Sequence, residues 1–328
     1  MVHGEIEISA FLKARRAALD PVEVGLPEGP GRRRVRGLRR EEVAQLAAIS
    51  VAYYTRIEQG RAPAVSDAVL DALARALRLT DGEAAYLRNI AGPRRRTAGR
   101  PRGARASAPV RTVSPEIRQL LDAMDPAVAA VVVGRGLDIL AWNGPGGRLS
   151  FDLDALDPAQ RNTALLVFLH PASRELYPDW EKKAQEIVGN LRADSGRHPD
   201  DPRICEVVNE LLDRSPDFRR MWAAQGVSEC LRGTKRIRHP WAGELTVSFE
   251  SFRAAADPDH MLVTYTAERG SESEARLREL GWAAAGATLP AGRSGTGVPS
   301  PSGATSAMSG TSGASAVSPT SAAPAFAG

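Results

Sequence analysis

Cysteine is scarce in this chain: Cys205 and Cys230 are the only two among 328 residues. They fit neither a disulfide framework nor a Cys-x-x-Cys metal motif. The five histidines, His3, His170, His198, His239 and His260, lie far apart in sequence. None forms His-x-x-x-His or sits near a cysteine, so zinc is not expected, and no other cofactor is implied. Phosphate-binding loops are missing as well. There is no Walker loop and no GxGxxG, and GPGGR at 144–148 reads as a turn. A G-x-S-x-G nucleophile elbow is absent, and nothing in the sequence proposes an enzyme. No apolar run approaches the roughly 20 residues that a bilayer span needs. The start, MVHGEIEIS, lacks the basic and apolar regions of a secretory leader. A soluble, reduced, cytoplasmic protein is the expectation.

Charge is present but unevenly placed. Residues 1–112 hold 21 Lys and Arg against 12 Asp and Glu, while the remainder holds 22 against 27. A basic front with an acidic back points to a polyanion met by the front alone. Beyond residue 282 the composition is mostly Gly, Ser, Ala, Thr and Pro, with Arg293 the only charge. Such a stretch cannot bury enough apolar surface to fold, so 283–328 is expected to be a disordered tail.

The most organised stretch is EEVAQLAAISVAYYTRIEQG, 41–60. Val43, Leu46 and Ala47 have helical spacing, and Glu41 and Glu42 stand in the first turn, where the helix dipole favours anions. Ser50 is placed to cap a second helix, Val51 to Glu58, which Gln59-Gly60 ends. Two helices around so short a corner make a helix-turn-helix. A first helix reads from Ile6 to Leu19, and further helices from Ser66 to Leu77 and Asp81 to Ala91. Before the motif, GRRRVRG brings Arg32, Arg33, Arg34 and Arg36 together. A run rich in Pro, Gly and Arg, 93–112, reads as a flexible basic linker.

The second region begins near Val113. Ser114-Pro115-Glu116 is a cap, proline and acid at a helix start. Strands are expected at Ala129–Val133 and Leu137–Trp142. Helices follow at Ala159–Leu169, Trp180–Ala193, Pro202–Arg214 and Pro216–Ala224, then strands at Glu229–Arg238, Glu244–Phe252 and Met261–Ala267. This order predicts an α+β domain, an antiparallel sheet with helices on one side, over 113–282. The whole is thus a multi-domain protein with an all-α domain over 1–92.

The stretch from Phe11 to about Gly92 resembles the DNA-binding domain of the Xre, or lambda-repressor-like, regulators. One departure is Ala48, where the family usually carries glycine. The resemblance implies transcription regulation through double-stranded DNA, with the exposed side of the second motif helix, Val51, Ala52, Tyr53 and Arg56, reaching the bases beyond the capping Ser50. It also implies a brace between Arg16 and Glu58. Arg33, Arg34, Arg36, Arg39 and Arg40 are expected at phosphates.

From Val113 to about Leu280 the chain is similar to the MmyB-like ligand-binding domain, a PAS-like fold attached to Xre-type regulators in actinobacteria. The segments that carry this are DILAWN (138–143), RNTALLVFLHP (161–171), DWEKKAQEIVGNLRAD (179–194), DFRRMW (217–222), KRIRHPWAGELTVSFESF (235–252) and HMLVTYTAERGSES (260–273). The resemblance implies that a fatty acid or similar lipid binds in a buried pocket. Trp142, Asn143, Arg161, Asn162, Phe168, Arg192, Trp222 and His239 are the candidate ligand residues, with Arg161 at the head group. Two departures bear on it: Gln225-Gly226 stands where relatives commonly show a histidine and an acid, and Leu165 where an arginine is common. A homodimer is expected. The alternative is a DNA-binding protein whose second domain serves dimerisation or protein interaction without a small ligand.

Overall fold

The computed structural model describes residues 2–26, 37–62, 64–91 and 112–284. The arginines at 32–36, the run 93–111 and the tail lie outside them. Apolar residues at helical spacing make the first five helices: α1 (Val2–Ala18), α2 (Arg40–Leu46), α3 (Val51–Glu58), α4 (Asp67–Ala76) and α5 (Asp81–Ala91). Phe11, Leu12, Val43, Tyr54, Ile57, Leu73 and Leu87 meet at the centre with no exposed surface.

The corner between α2 and α3 is held by its own side chains. The Ser50 hydroxyl accepts the Tyr53 amide at 3.1 Å, and the Glu42 carboxylate accepts the Arg39 amide at 2.7 Å. Ala48 adopts a φ of 53°, the left-handed region that glycine enters without penalty. The side chain is exposed, so glycine there removes strain and opens no cavity. We expect Ala48→Gly to stabilise the fold by about 0.5–1 kcal/mol. A urea titration checks this, and a lower midpoint in the variant would contradict it.

The C-terminal part starts with α6 (Pro115–Asp122), then β1 (Ala129–Val133) and β2 (Ile139–Trp142). Five helices follow: α7 (Thr163–Leu169), α8 (Ser173–Leu176), α9 (Trp180–Arg197), α10 (Pro202–Arg214) and α11 (Pro216–Ala223). The strands β3 (Arg232–His239), β4 (Gly243–Arg253) and β5 (Met261–Thr266) and a last helix, α12 (Glu272–Ala284), complete it. All five strands form one antiparallel sheet in the order β2-β1-β5-β4-β3. The last strand therefore joins the first hairpin to the second.

Alternation along β1 sends Ala129 and Val133 into the main core with α7, α9 and α10. Ala130 and Val132 face the other way and are covered by Val113 and Leu121 at α6. Helices thus stand on both faces of the sheet, not one as expected. The apolar stripe of α6 needs a partner, and the back of β1 supplies it.

Several boundaries also differ from the sequence reading. β2 starts at Ile139 because Gly136 (φ 65°) and Leu137 (φ 68°) form a turn. α7 starts at Thr163, since the Asn162 side chain caps it by accepting the Ala164 and Leu165 amides at 2.9 and 3.1 Å. α9 runs on to Arg197, and β3 begins at Arg232. α12 was not expected. Its charged residues dilute the apolar spacing, yet Leu277 and Leu280 are fully buried.

Candidate functional site

One candidate site is the outer face of α3. Tyr54 and Ile57 point inward with no exposed surface, which fixes the helix rotation. Val51, Ala52 and Arg56 are left exposed and Tyr53 half-buried, with Ser50 as the cap. At the end of α3, Glu58 is fully buried and accepts Arg16 Nε of α1 at 3.0 Å. The other carboxylate oxygen takes Arg40 Nε of α2. One carboxylate thus ties α1, α2 and α3 together. Arg16 also donates to the Leu38 carbonyl at 2.7 Å. Burial pushes the nearby Tyr54 phenol up, so it stays protonated. Arg40, whose side chain is 41% exposed, is therefore shared between this brace and solvent. Arg39 is exposed beside Glu41. Arg33, Arg34 and Arg36 lie outside the described residues.

The eight ligand candidates fall into separate places. Asn143 is buried, accepts the Ala130 and Gly146 amides at 2.9 and 3.0 Å, and donates to the Val128 carbonyl at 2.7 Å. Asn162, besides capping α7, donates to the Gly136 carbonyl and the Asp138 carboxylate, both at 2.8 Å. Both amides hold the β1–β2 hairpin in place. The Arg161 guanidinium lies over the Trp142 ring, 5.1 Å from its centre, with its buried Nε making no hydrogen bond. His239 donates Nε2 to the Arg148 carbonyl at 3.0 Å and accepts the Ala242 amide at Nδ1, 3.1 Å. That fixes a neutral tautomer, and burial lowers its pKa. Phe168 packs edge-on against Trp180 and Phe218, and Phe218 stacks on Trp222.

Between the sheet and α7 lies a narrow cavity of about 50 Å³. Val131, Ile139, Leu149, Phe151, Leu153, Leu166 and Val167 wall it, with Tyr177, Lys183 and Tyr265 among its polar lining. Burial pushes the Tyr177 phenol up to about 12. None of the eight candidates lines this space. Sequence reading placed Tyr265 on one face of the last strand with Met261 and Val263, but offered neither it nor Lys183 as a ligand residue. The available signal was Lys183 between Trp180 and Ala184, Ile187 on a buried helix face.

The N-terminal helices and the C-terminal part meet where α5 lies against α9. A Cβ on Gly196 would come within 2.4 Å of the Tyr86 ring, so glycine permits this approach. Beside it, Arg192 is almost wholly buried, its guanidinium 3.8 Å from the centre of the Trp222 ring. Arg192 donates to the Gln225 side-chain oxygen at 2.8 Å and to the Trp222 carbonyl. The Gln225 carbonyl in turn accepts Arg15 of α1, which also pairs with Glu83 of α5. Burial lowers the Arg192 pKa, opposed by the Tyr86 phenol beside it and by the field of Glu7. A second cleft, about 280 Å³, opens along this seam between Glu7, Ile204, Val208, Leu212 and Trp222.

Among the described residues no cluster of His, Cys, Asp or Glu is arranged to hold a metal ion. No described helix is long and apolar enough to cross a membrane. Burial raises the pKa of both thiols, Cys205 and Cys230.

Comparison with known families finds two matches. Residues 7–87 match the family described as a helix-turn-helix domain. Residues 113–280 match the MmyB-like transcription regulator ligand binding domain. No curated protein matches the chain. The second match spans more than half of the sequence, and together with the braced α2–α3 motif ahead of it the conclusion is plain: this chain belongs to the helix-turn-helix transcription regulators that carry an MmyB-like ligand-binding domain.

Proposed function

We propose that the protein binds specific double-stranded DNA as a homodimer through α3, and that a fatty acid or similar amphiphile taken up by the C-terminal domain controls that binding. The observation that carries the ligand reading is the space between sheet and α7, walled mainly by apolar side chains with Ser150, Thr163, Tyr177, Lys183 and Tyr265 as its polar ones. Ligand sites are commonly apolar with a small number of orienting polar groups. The antiparallel sheet with helices inserted between its second and third strands supports the PAS-like reading of this domain. At about 50 Å³ the space holds only a few water-sized spheres, so a longer chain must displace the side chains of Leu149, Phe151 and Leu153. Each methylene then buried contributes about 0.8 kcal/mol. Residues 1–92, 93–112, 113–282 and 283–328 are read as DNA-binding domain, linker, sensor and tail.

On the DNA side, Arg56 is exposed on α3 and suited to a guanine edge, a contact that discriminates by about 1–3 kcal/mol. Val51 and Ala52 offer apolar contact to thymine methyls. Arg39, Arg40, Arg33, Arg34 and Arg36 serve at phosphates. Selecting sites from random duplexes with the wild type and with Arg56→Ala tests this. A common site should emerge, and the variant should relax its preference at one base pair per half-site. No enriched site with the wild type would sink the proposal.

A further inference from the structure

The cavity under the sheet has a polar end that no resemblance pointed to. Tyr177 and Lys183 line both this cavity and a shallow surface depression formed with Lys235, Glu186 and Arg236. They therefore stand at the neck between the interior and solvent.

Lys183 and Lys235 both line this depression. Lys183 lies over the Tyr177 ring at 5.7 Å, and Lys235 over the Phe249 ring at 4.0 Å. The Lys235 side chain is only 13% exposed. Glu186 pairs with Lys235 at 3.6 Å, and Asp179 is committed to Arg236 at 2.7 Å. Glu186 is thus the carboxylate shared between the two lysines. Burial and the neighbouring Lys235 charge push the Lys183 ammonium down. Like charges held close in a poorly solvated place destabilise each other, and an anion between them turns repulsion into attraction. The partly buried Tyr265 phenol on the cavity side is likewise pushed up and remains an O–H donor.

We propose that Lys183 and Lys235 form the seat for the carboxylate of an amphiphile, whose chain enters between Leu149, Leu166 and Val131. This rests on the ligand reading above and gives its head group a place. Arg161, the arginine that the sequence offered for this role, is stacked on Trp142 outside the cavity lining.

The test uses the full chain with two probes of equal length, dodecanoate and the uncharged dodecanol, followed by calorimetry. The wild type should bind dodecanoate at least about tenfold more tightly, as expected of a charge-assisted contact. In Lys183→Met/Lys235→Met, which keeps the aliphatic stems and removes both charges, dodecanoate should fall to the level of dodecanol. Dodecanol itself should bind the variant as it binds the wild type, which also reports that the fold is intact. Arg161→Ala should keep the preference for dodecanoate. If the preference survives the double substitution, or disappears with Arg161→Ala instead, the seat is elsewhere and this inference is overturned while the lipid reading stands. Failure of both probes to bind the wild type overturns the lipid reading and the seat together.

Discussion

Glu58→Gln should lose about 3 kcal/mol of stability, the cost of removing one member of a buried ion pair. Glu58 has no exposed surface, and its two oxygens hold Arg16 and Arg40 from two other helices. Glutamine keeps one acceptor oxygen but presents an amide donor to the second guanidinium, so one arginine faces a repelling group. The loss is largest for Arg16, whose side chain is 16% exposed, and smaller for Arg40, which solvent partly reaches. Arg40→Ala should therefore cost well under half as much. Urea unfolding of the full chain, followed by circular dichroism, gives both numbers. An unchanged midpoint for Glu58→Gln would show that the pair contributes nothing net. Because the brace also sets the angle of α3, DNA binding should fall more steeply than stability alone accounts for.

Arg192→Met should separate ligand binding from DNA binding. α9 carries Lys183 at the cavity and Arg192 at the seam, so one rigid helix touches both places. From Arg192 the contacts run through Gln225 to Arg15 and Glu83, that is, into α1 and α5. Gln225 holds a φ of 57°, a conformation that persists only while its surroundings fix it. Methionine fills similar space but leaves the Gln225 side-chain oxygen and the Trp222 carbonyl without their donor, which costs about 1–3 kcal/mol. The variant should fold, bind dodecanoate and bind DNA, yet its DNA affinity should no longer respond to dodecanoate by more than about twofold, against the fivefold or greater response typical of allosteric coupling. A wild-type response in Arg192→Met would exclude this route.

The parts of the fold that sequence made legible are those set by local chemistry. Ser50 and Gly60 bracket α3, and its limits Val51 and Glu58 agree with the reading. The strand Ala129–Val133 and the helix Pro202–Arg214 agree as well, because a proline or a turn bounds each. Where a side chain acts through distant partners, local pattern was silent, and the Arg16–Glu58 brace came only from the family resemblance. Asn162 caps α7 and also binds Gly136, so the helix begins later than its apolar pattern suggests. Asn143 and His239, attractive as polar residues in matched motifs, spend their hydrogen bonds on backbone groups of other segments. Lys183 and Lys235 are far apart in the chain and meet only because β3 lies against the start of α9. No local pattern encodes that meeting.

The central claim is that an amphiphile bound by the C-terminal domain changes the affinity of α3 for DNA. A ligand shifts the equilibrium only by as much as it distinguishes the two states, so the decisive quantity is a ratio of affinities. The direct measurement is the dissociation constant of the full chain for a selected duplex, without dodecanoate and with it at saturation, at fixed salt. We expect the constant to change at least about fivefold. An identical constant, with calorimetry showing dodecanoate bound, would contradict the account.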